Sequence, residues 1–310
     1  MINKNIDIRD ACFEEVYKIM EKDKNVIFLS DDIDAFVLQK IKMKFPKQYI
    51  NVGVAEQNLM DLAAGLATCG KKVFVFGICS YITGRCFEQI KFSIASMKLP
   101  VVIIGIGAGF SFPFDGPTHH GTTDVAIMRT IPEVTILNPC DAQSSGASVN
   151  ISYKSKVPVY IRLDKGIFPQ IYNSSDDFKK GVKIVKPLKE INIFSTGYMT
   201  QQAIKAYAEL SDRELKIGLI DIFSLKPLNE QKLKEIVSIS RKVIVLEENS
   251  AIGGLCSSIS ELIGKYRIKT SAIYLAIEDK QFMEYGSREF LLKENSLDLN
   301  SITKIVLQNN

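Results

Sequence analysis

The stretch Val52-Gly53-Val54-Ala55-Glu56-Gln57-Asn58-Leu59-Met60-Asp61-Leu62-Ala63-Ala64-Gly65-Leu66-Ala67 reads as a turn entering an apolar helix. Leu59, Leu62, Ala63 and Leu66 recur at helical spacing and define a buried face. Glu56 stands at the helix mouth, where unpaired amides and the helix dipole favour a negative charge. A carboxylate at the edge of a core needs a partner. That partner is either a structural cation or a bound cofactor.

Outward from this helix the chain alternates. Short runs rich in Val and Ile, bounded by Gly, Pro or Asp, lie at residues 25–30, 73–77, 100–107, 134–139 and 157–163. They have the character of buried parallel strands. Amphipathic stretches at 10–22, 56–69 and 85–97 fall between them. After a polar, turn-rich segment the alternation resumes at 191–196, 217–223, 243–247 and 272–277. The pattern predicts an α/β chain of two three-layer domains with mostly parallel sheets. The expected boundaries are a first domain over 1–170, a linker over 171–189 and a second, smaller domain over 190–310.

At 310 residues, 46% hydrophobic and 24% charged, the composition is that of a soluble globular protein. The net charge of +4 is dispersed over many lysines, which argues against nucleic acid as a partner. No window reaches the ~18 apolar residues a membrane span needs. The N-terminal Met1-Ile2-Asn3-Lys4-Asn5-Ile6-Asp7 has no apolar signal region. The six cysteines form no C-x-x-C pair and read as reduced core residues of a cytoplasmic protein.

Several familiar motifs are excluded. Gly105-Ile-Gly-Ala-Gly109 fails as G-x-G-x-x-G because Phe110 occupies the last glycine position. Neither a P-loop nor a G-x-S-x-G elbow occurs. The chain's two histidines are adjacent, in Phe114-Asp115-Gly116-Pro117-Thr118-His119-His120-Gly121. This loop follows a predicted strand, and ligands in open α/β sheets collect beyond the carboxyl ends of strands. Histidine suits proton transfer near neutral pH, although an adjacent pair alone also fits an ordinary surface position. Only Asp115 and Asp124 lie nearby and no Cys, so a metal site is not expected. Tyr81 and Arg85, after the strand at 73–77, could hold a flat ring and an anion. Arg162, a charge inside the apolar run of 157–163, suits bidentate phosphate binding. The competing reading of Arg162 is a buried ion pair with Asp164.

Together these motifs resemble the second half of a transketolase-type, thiamine diphosphate-dependent enzyme: a pyrimidine-binding domain followed by the C-terminal domain. Val-Gly-Val-Ala-Glu56-Gln-Asn is similar to the family's cofactor glutamate motif, and Asp115-Gly-Pro-Thr-His119-His120-Gly to its substrate-loop histidine motif. Arg129-Thr-Ile-Pro and Asn138-Pro-Cys-Asp141 continue the likeness. Glu247-Glu248-Asn-Ser-Ala-Ile-Gly253-Gly254 resembles the C-terminal signature. The resemblance implies residue roles. Glu56 would hydrogen-bond the cofactor's aminopyrimidine nitrogen, favouring the imino form that takes the thiazolium proton in a dry site. Tyr81 would stack on the ring, where the family usually offers several aromatics and this chain has Ile78, Cys79 and Ile82. His119 and His120 would move protons on substrate oxygens, Asp115 would recognise a sugar hydroxyl, and Arg162 would bind a sugar phosphate.

The family holds the diphosphate through a divalent metal, Mg²⁺, on a Gly-Asp-Gly motif, and this chain has none. The resemblance therefore implies one subunit of a split transketolase. It would transfer a two-carbon ketol unit between sugar phosphates, with a partner subunit supplying the diphosphate site and metal ligands. A heterotetramer containing a self-dimer of this chain is expected. The His-His pair also resembles 1-deoxyxylulose 5-phosphate synthase, and the beta subunits of 2-oxoacid dehydrogenases are a more distant likeness; either would make the reaction decarboxylating. A non-catalytic homologue is the remaining alternative.

Overall fold

The structure is a computed structural model that describes residues 6–210 and 216–309. Met1–Asn5, part of the N-terminal stretch read above, lies outside them. The strands are β1 (Val26–Ser30), β2 (Tyr49–Asn51), β3 (Lys72–Ile78), β4 (Val101–Ile106), β5 (Thr135–Leu137), β6 (Val159–Leu163), β7 (Val182–Lys186), β8 (Ile191–Ser195), β9 (Ile217–Ile222), β10 (Ser224–Lys226), β11 (Lys242–Ser250) and β12 (Ser271–Ile277). They form a seven-stranded sheet, β10-β5-β6-β4-β3-β1-β2, and a five-stranded sheet, β12-β11-β8-β9-β7. All pairings are parallel except β10 with β5 and β7 with β9.

Both sheets carry helices on their faces, as the near-continuous apolar strands require. Strands β1, β4 and β6 are buried along their whole length. On one face of the first sheet, Phe13 of the helix Ile8–Lys22 packs edge-on against Phe28 and Phe76. On the other face, the helix Glu56–Thr68 joins a core that continues into the second domain, where Leu225, Leu255 and Ile259 belong to the same apolar cluster as Leu59 and Val75. One apolar cluster thus runs through both domains.

Two boundaries depart from the sequence reading. The segment 171–189 is only partly a linker. It contains β7, an antiparallel edge strand of the second sheet, and its Tyr172 and Phe178 rings pack with Phe223. Lysines in a short, half-buried strand read as polar, yet such charges are how sheet edges are protected. The second domain also returns β10 to the edge of the first sheet. The stretch 85–97 is not one regular helix but two wide, π-helical segments, Tyr81–Arg85 and Gln89–Ala95. All six cysteines are free; Cys69 is exposed and the others are buried. No helix among the described residues is long and apolar enough to cross a membrane.

Asp141 ties three segments together. Its Oδ1 accepts from Ser144 N at 2.7 Å in a capping box at the start of the helix Ala142–Lys154. Its Oδ2 accepts from the amides of Ile171 and Tyr172 at 2.6 and 2.7 Å. Asp141→Ala would leave three amides without their acceptor. It is expected to lower unfolding free energy by about 3 kcal/mol, against ~1 for an ordinary cap, measured as a shift of the urea midpoint at constant slope.

Candidate functional site

Every predicted site residue lies at or beyond the carboxyl end of a strand in the first sheet, where an open α/β sheet leaves a crevice. Glu56 follows β2, Tyr81 and Arg85 follow β3, the histidine loop follows β4, and Arg162 sits near the end of β6. Gly53, at φ +74°, makes the turn after β2. Its amide donates to Asn51 Oδ1 at 2.9 Å, and Asn51 donates in turn to Asp32 at 2.8 Å. This clasp delivers Glu56 as the first residue of its helix.

Glu56 is 3% exposed, and Arg85 Nη1 donates to both its oxygens at 2.7 and 2.8 Å. The Arg85 side chain is 48% exposed, so the pair has the character of a surface salt bridge on one side. Such bridges contribute about 1 kcal/mol or less, and a ligand can displace the cation. The Arg85 guanidinium lies over the Tyr81 ring, 4.7 Å from its centroid. Tyr81 Oη lies 3.3 Å from His119 Nδ1, and the two rings meet edge-on. Glu56, Arg85, Tyr81 and His119 therefore form one continuous row. Ser80 anchors the histidine loop by donating to Thr118 O at 2.7 Å. Asp115 is exposed on the same loop.

His120 is not part of the row. It is buried against Phe110, ring centroids 5.0 Å apart. It also lines a cavity of about 270 Å³ with Phe282 and Ser250 of the second domain. Its Nε2 has no partner among the described residues. Burial, with His119 adding repulsion, holds its imidazole below the usual pKa.

Arg162 corrects the sequence reading. Its side chain is enclosed, with Nε donating to Asp124 Oδ2 at 2.9 Å and Nη2 to the carbonyls of Gly121 and Glu248 at 2.6 and 3.0 Å. Its donors are turned inward, so the arrangement does not fit a phosphate site. Nor is its partner Asp164; Asp124 fills that role and also accepts from Tyr160 Oη at 2.7 Å. The two residues are 38 positions apart and meet only in the folded chain, so sequence distance hid the pair.

Asp31, directly after β1, is the residue that sequence reasoning missed. Its one local signal was a carboxylate at the end of an apolar strand. It is 4% exposed, its Oδ1 lacks a partner, and burial with added repulsion from Glu56 pushes its pKa up to about 7. Folding thus favours its protonated form. That contribution is full below about pH 4 and is lost as pH rises through about 7. Asp31→Asn should stabilise the chain relative to wild type by about 1 kcal/mol or more at pH 8. Denaturant unfolding across pH checks this, with the gap closing towards about pH 4, near the carboxyl's ordinary 3.8.

Several likenesses to known proteins bear on this site. The family models "Transketolase, pyrimidine binding domain" and "Transketolase, C-terminal domain" match residues 4–170 and 180–302. The chain is 28% identical to an apulose-4-phosphate transketolase subunit of Phocaeicola vulgatus, over 99% of each protein. It is 28% identical to the 1-deoxy-D-xylulose-5-phosphate synthase of Clostridium tetani over 99% of this chain but only 49% of that one. A solved structure titled "Split gene transketolase, inactive beta4 tetramer" superposes with a TM-score of 0.86 at 29% identity, covering 98% of both chains.

Proposed function

The chain belongs to the transketolase family, and from that premise we propose that it is the C-terminal subunit of a split transketolase, transferring a two-carbon ketol unit between sugar phosphates. Proteins of this family depend on thiamine diphosphate. The observation that carries the reading is Glu56, a buried carboxylate whose described side-chain partner is a half-exposed, displaceable arginine. Full-length likeness to a separate transketolase subunit, against half-length likeness to the synthase, favours the split enzyme over the decarboxylating alternative.

The residues fit the pyrimidine end of thiamine diphosphate. A buried carboxylate, a second carboxyl with an unpartnered oxygen at Asp31, and Tyr81 under the Arg85 guanidinium suit a flat ring bearing N–H donors. When bound, the cofactor would supply a thiazolium carbon that becomes a nucleophile towards a ketose carbonyl once its proton is removed. Glu56 would hold the proton at the pyrimidine nitrogen, displacing Arg85 towards Tyr81. His119, linked to Tyr81, would exchange protons with substrate oxygens, and exposed Asp115 would receive a hydroxyl. No group of three or more His, Cys, Asp or Glu among the described residues is arranged to hold a metal. We assign the Mg²⁺ and diphosphate contacts to a partner subunit with Gly-Asp-Gly, a motif this sequence does not contain, in a heterotetramer.

Purified alone with thiamine diphosphate and Mg²⁺, the chain should show no ketol transfer from xylulose 5-phosphate. Adding the diphosphate-domain subunit should restore it, and robust turnover by the chain alone would refute the split reading. Pyruvate in place of the ketose phosphate should not serve as donor; if it does, the synthase-like alternative holds. In the reconstituted pair, Glu56→Ala should lower kcat by about 10²-fold or more.

A further inference from the structure

The histidine loop has little regular structure of its own. Within the first domain it is pinned at its base: Gly107 N and Ala108 N donate to Leu163 O, and Gly109 and Gly121 exchange two backbone hydrogen bonds of 2.9 Å. Ser80 and Arg162 of the same domain add donations to Thr118 O and Gly121 O at 2.7 and 2.6 Å. Two further anchors come from the second domain, at the carboxyl end of β11. Phe110 N donates to Glu248 Oε1 at 3.0 Å, and Ser250 N donates to Thr122 O at 2.8 Å. The two histidines are thus bracketed on both sides, at Phe110 and Thr122, by one strand end of the other domain.

Glu248 is held rigidly for this task. Arg288 donates through Nε to Glu248 Oε1 at 2.9 Å and through Nη2 to Oε2. The same guanidinium donates to both oxygens of Asp164, at 3.0 and 2.6 Å. Its flat face stacks on Tyr198, 3.6 Å from the ring centroid. The carboxylate also lies directly on the backbone of Gly109, at φ +59°, where a Cβ would collide with the Glu248 carboxyl carbon. The anchored residue, Phe110, is the one whose ring meets His120 edge-on. A fixed guanidinium fork, a shared carboxylate pair and a bare α-carbon make a stiff strut rather than a surface contact.

We propose that Glu248, clamped by Arg288, which Asp164 in turn fixes, is a positioning residue through which the second domain sets the placement of His119 and His120. The kinetic part of this inference rests on the function proposed above; the structural part does not. His119 and His120 are the only histidines in the chain, so full-length protein labelled at the histidine Cε1 position gives two imidazole resonances that report the loop directly.

Glu248→Ala should move the His120 resonance away from its wild-type position, because Phe110 no longer holds its ring against the imidazole. In the reconstituted pair it should lower kcat by about 10²-fold, as a misplacement of about 1 Å does, with cofactor affinity unchanged. Glu247→Gln is the control. Glu247 caps the helix Leu255–Tyr266 through the amides of Leu255 and Cys256, so this variant should lower the melting temperature and leave both resonances in place. Unmoved histidine resonances in folded Glu248→Ala would overturn the proposal. If that variant does not fold, Gly109→Ala pushes on the same strut from the loop side, and unmoved resonances there overturn it equally. A wild-type pair without transferase activity would defeat the functional reading alone, since the resonance test needs no turnover.

Discussion

Buried charge is the constraint on which this structure turns. An ion removed from water is costly unless its partners are close and its remaining donors are satisfied. Arg162 and Arg288 meet that demand in the seam between the domains. Arg162, on the first sheet, donates to Asp124 of its own domain and to the Glu248 carbonyl of the other. Arg288, on the second domain, closes on Asp164 of the first. Removing either cation would leave carboxylates buried without a counter-charge, so the domain orientation and the ion network stand or fall together. The shared apolar core holds the domains together, but it is non-directional. The charged network is what makes one orientation specific.

At the crevice the logic reverses. Glu56 is as buried as the interdomain carboxylates, yet its cation is on the solvent side and half exposed. An arginine that keeps its water can leave at little cost. The same residue type therefore serves as a permanent tie in the seam and an exchangeable cover at the site. What separates them is exposure rather than distance, because the Glu56–Arg85 and Arg288–Asp164 pairs are similarly short. Asp31 adds a second buried carboxyl beside Glu56, with no cation paired to it among the described residues. That is a poor arrangement for stability and a good one for receiving a ring that brings its own donors.

Much of the fold was legible in the chain. The buried strands were visible because parallel strands covered on both faces are continuous apolar runs. β2, β7 and β10 were not, since they are short or polar edge strands whose identity depends on the neighbour they pair with. The site was legible in part. Glu56, Tyr81, Arg85 and His119 do converge, because each follows a strand of one sheet. Arg162 was misread for a physical reason: a lone arginine in an apolar run looks alike whether it faces a ligand or an internal carboxylate. Asp31 was overlooked because a single Asp after a strand is an ordinary strand ending. Its significance lies in burial and in its nearness to Glu56.

The sequence by itself determined two α/β domains, the carboxylate at the mouth of the apolar helix, the histidine loop and the absence of Gly-Asp-Gly. These follow from periodicity and local spacing, which need no knowledge of what packs where. Only the tertiary structure decided that Arg85 covers Glu56, that Arg162 faces inward to Asp124, that His120 lies in the domain seam, and that Glu248 reaches 138 positions back along the chain to the amide of Phe110. Partners so distant in sequence are selected by the closing of two sheets over a shared core. Short-range pattern carries no information about which buried charge will find which counter-charge.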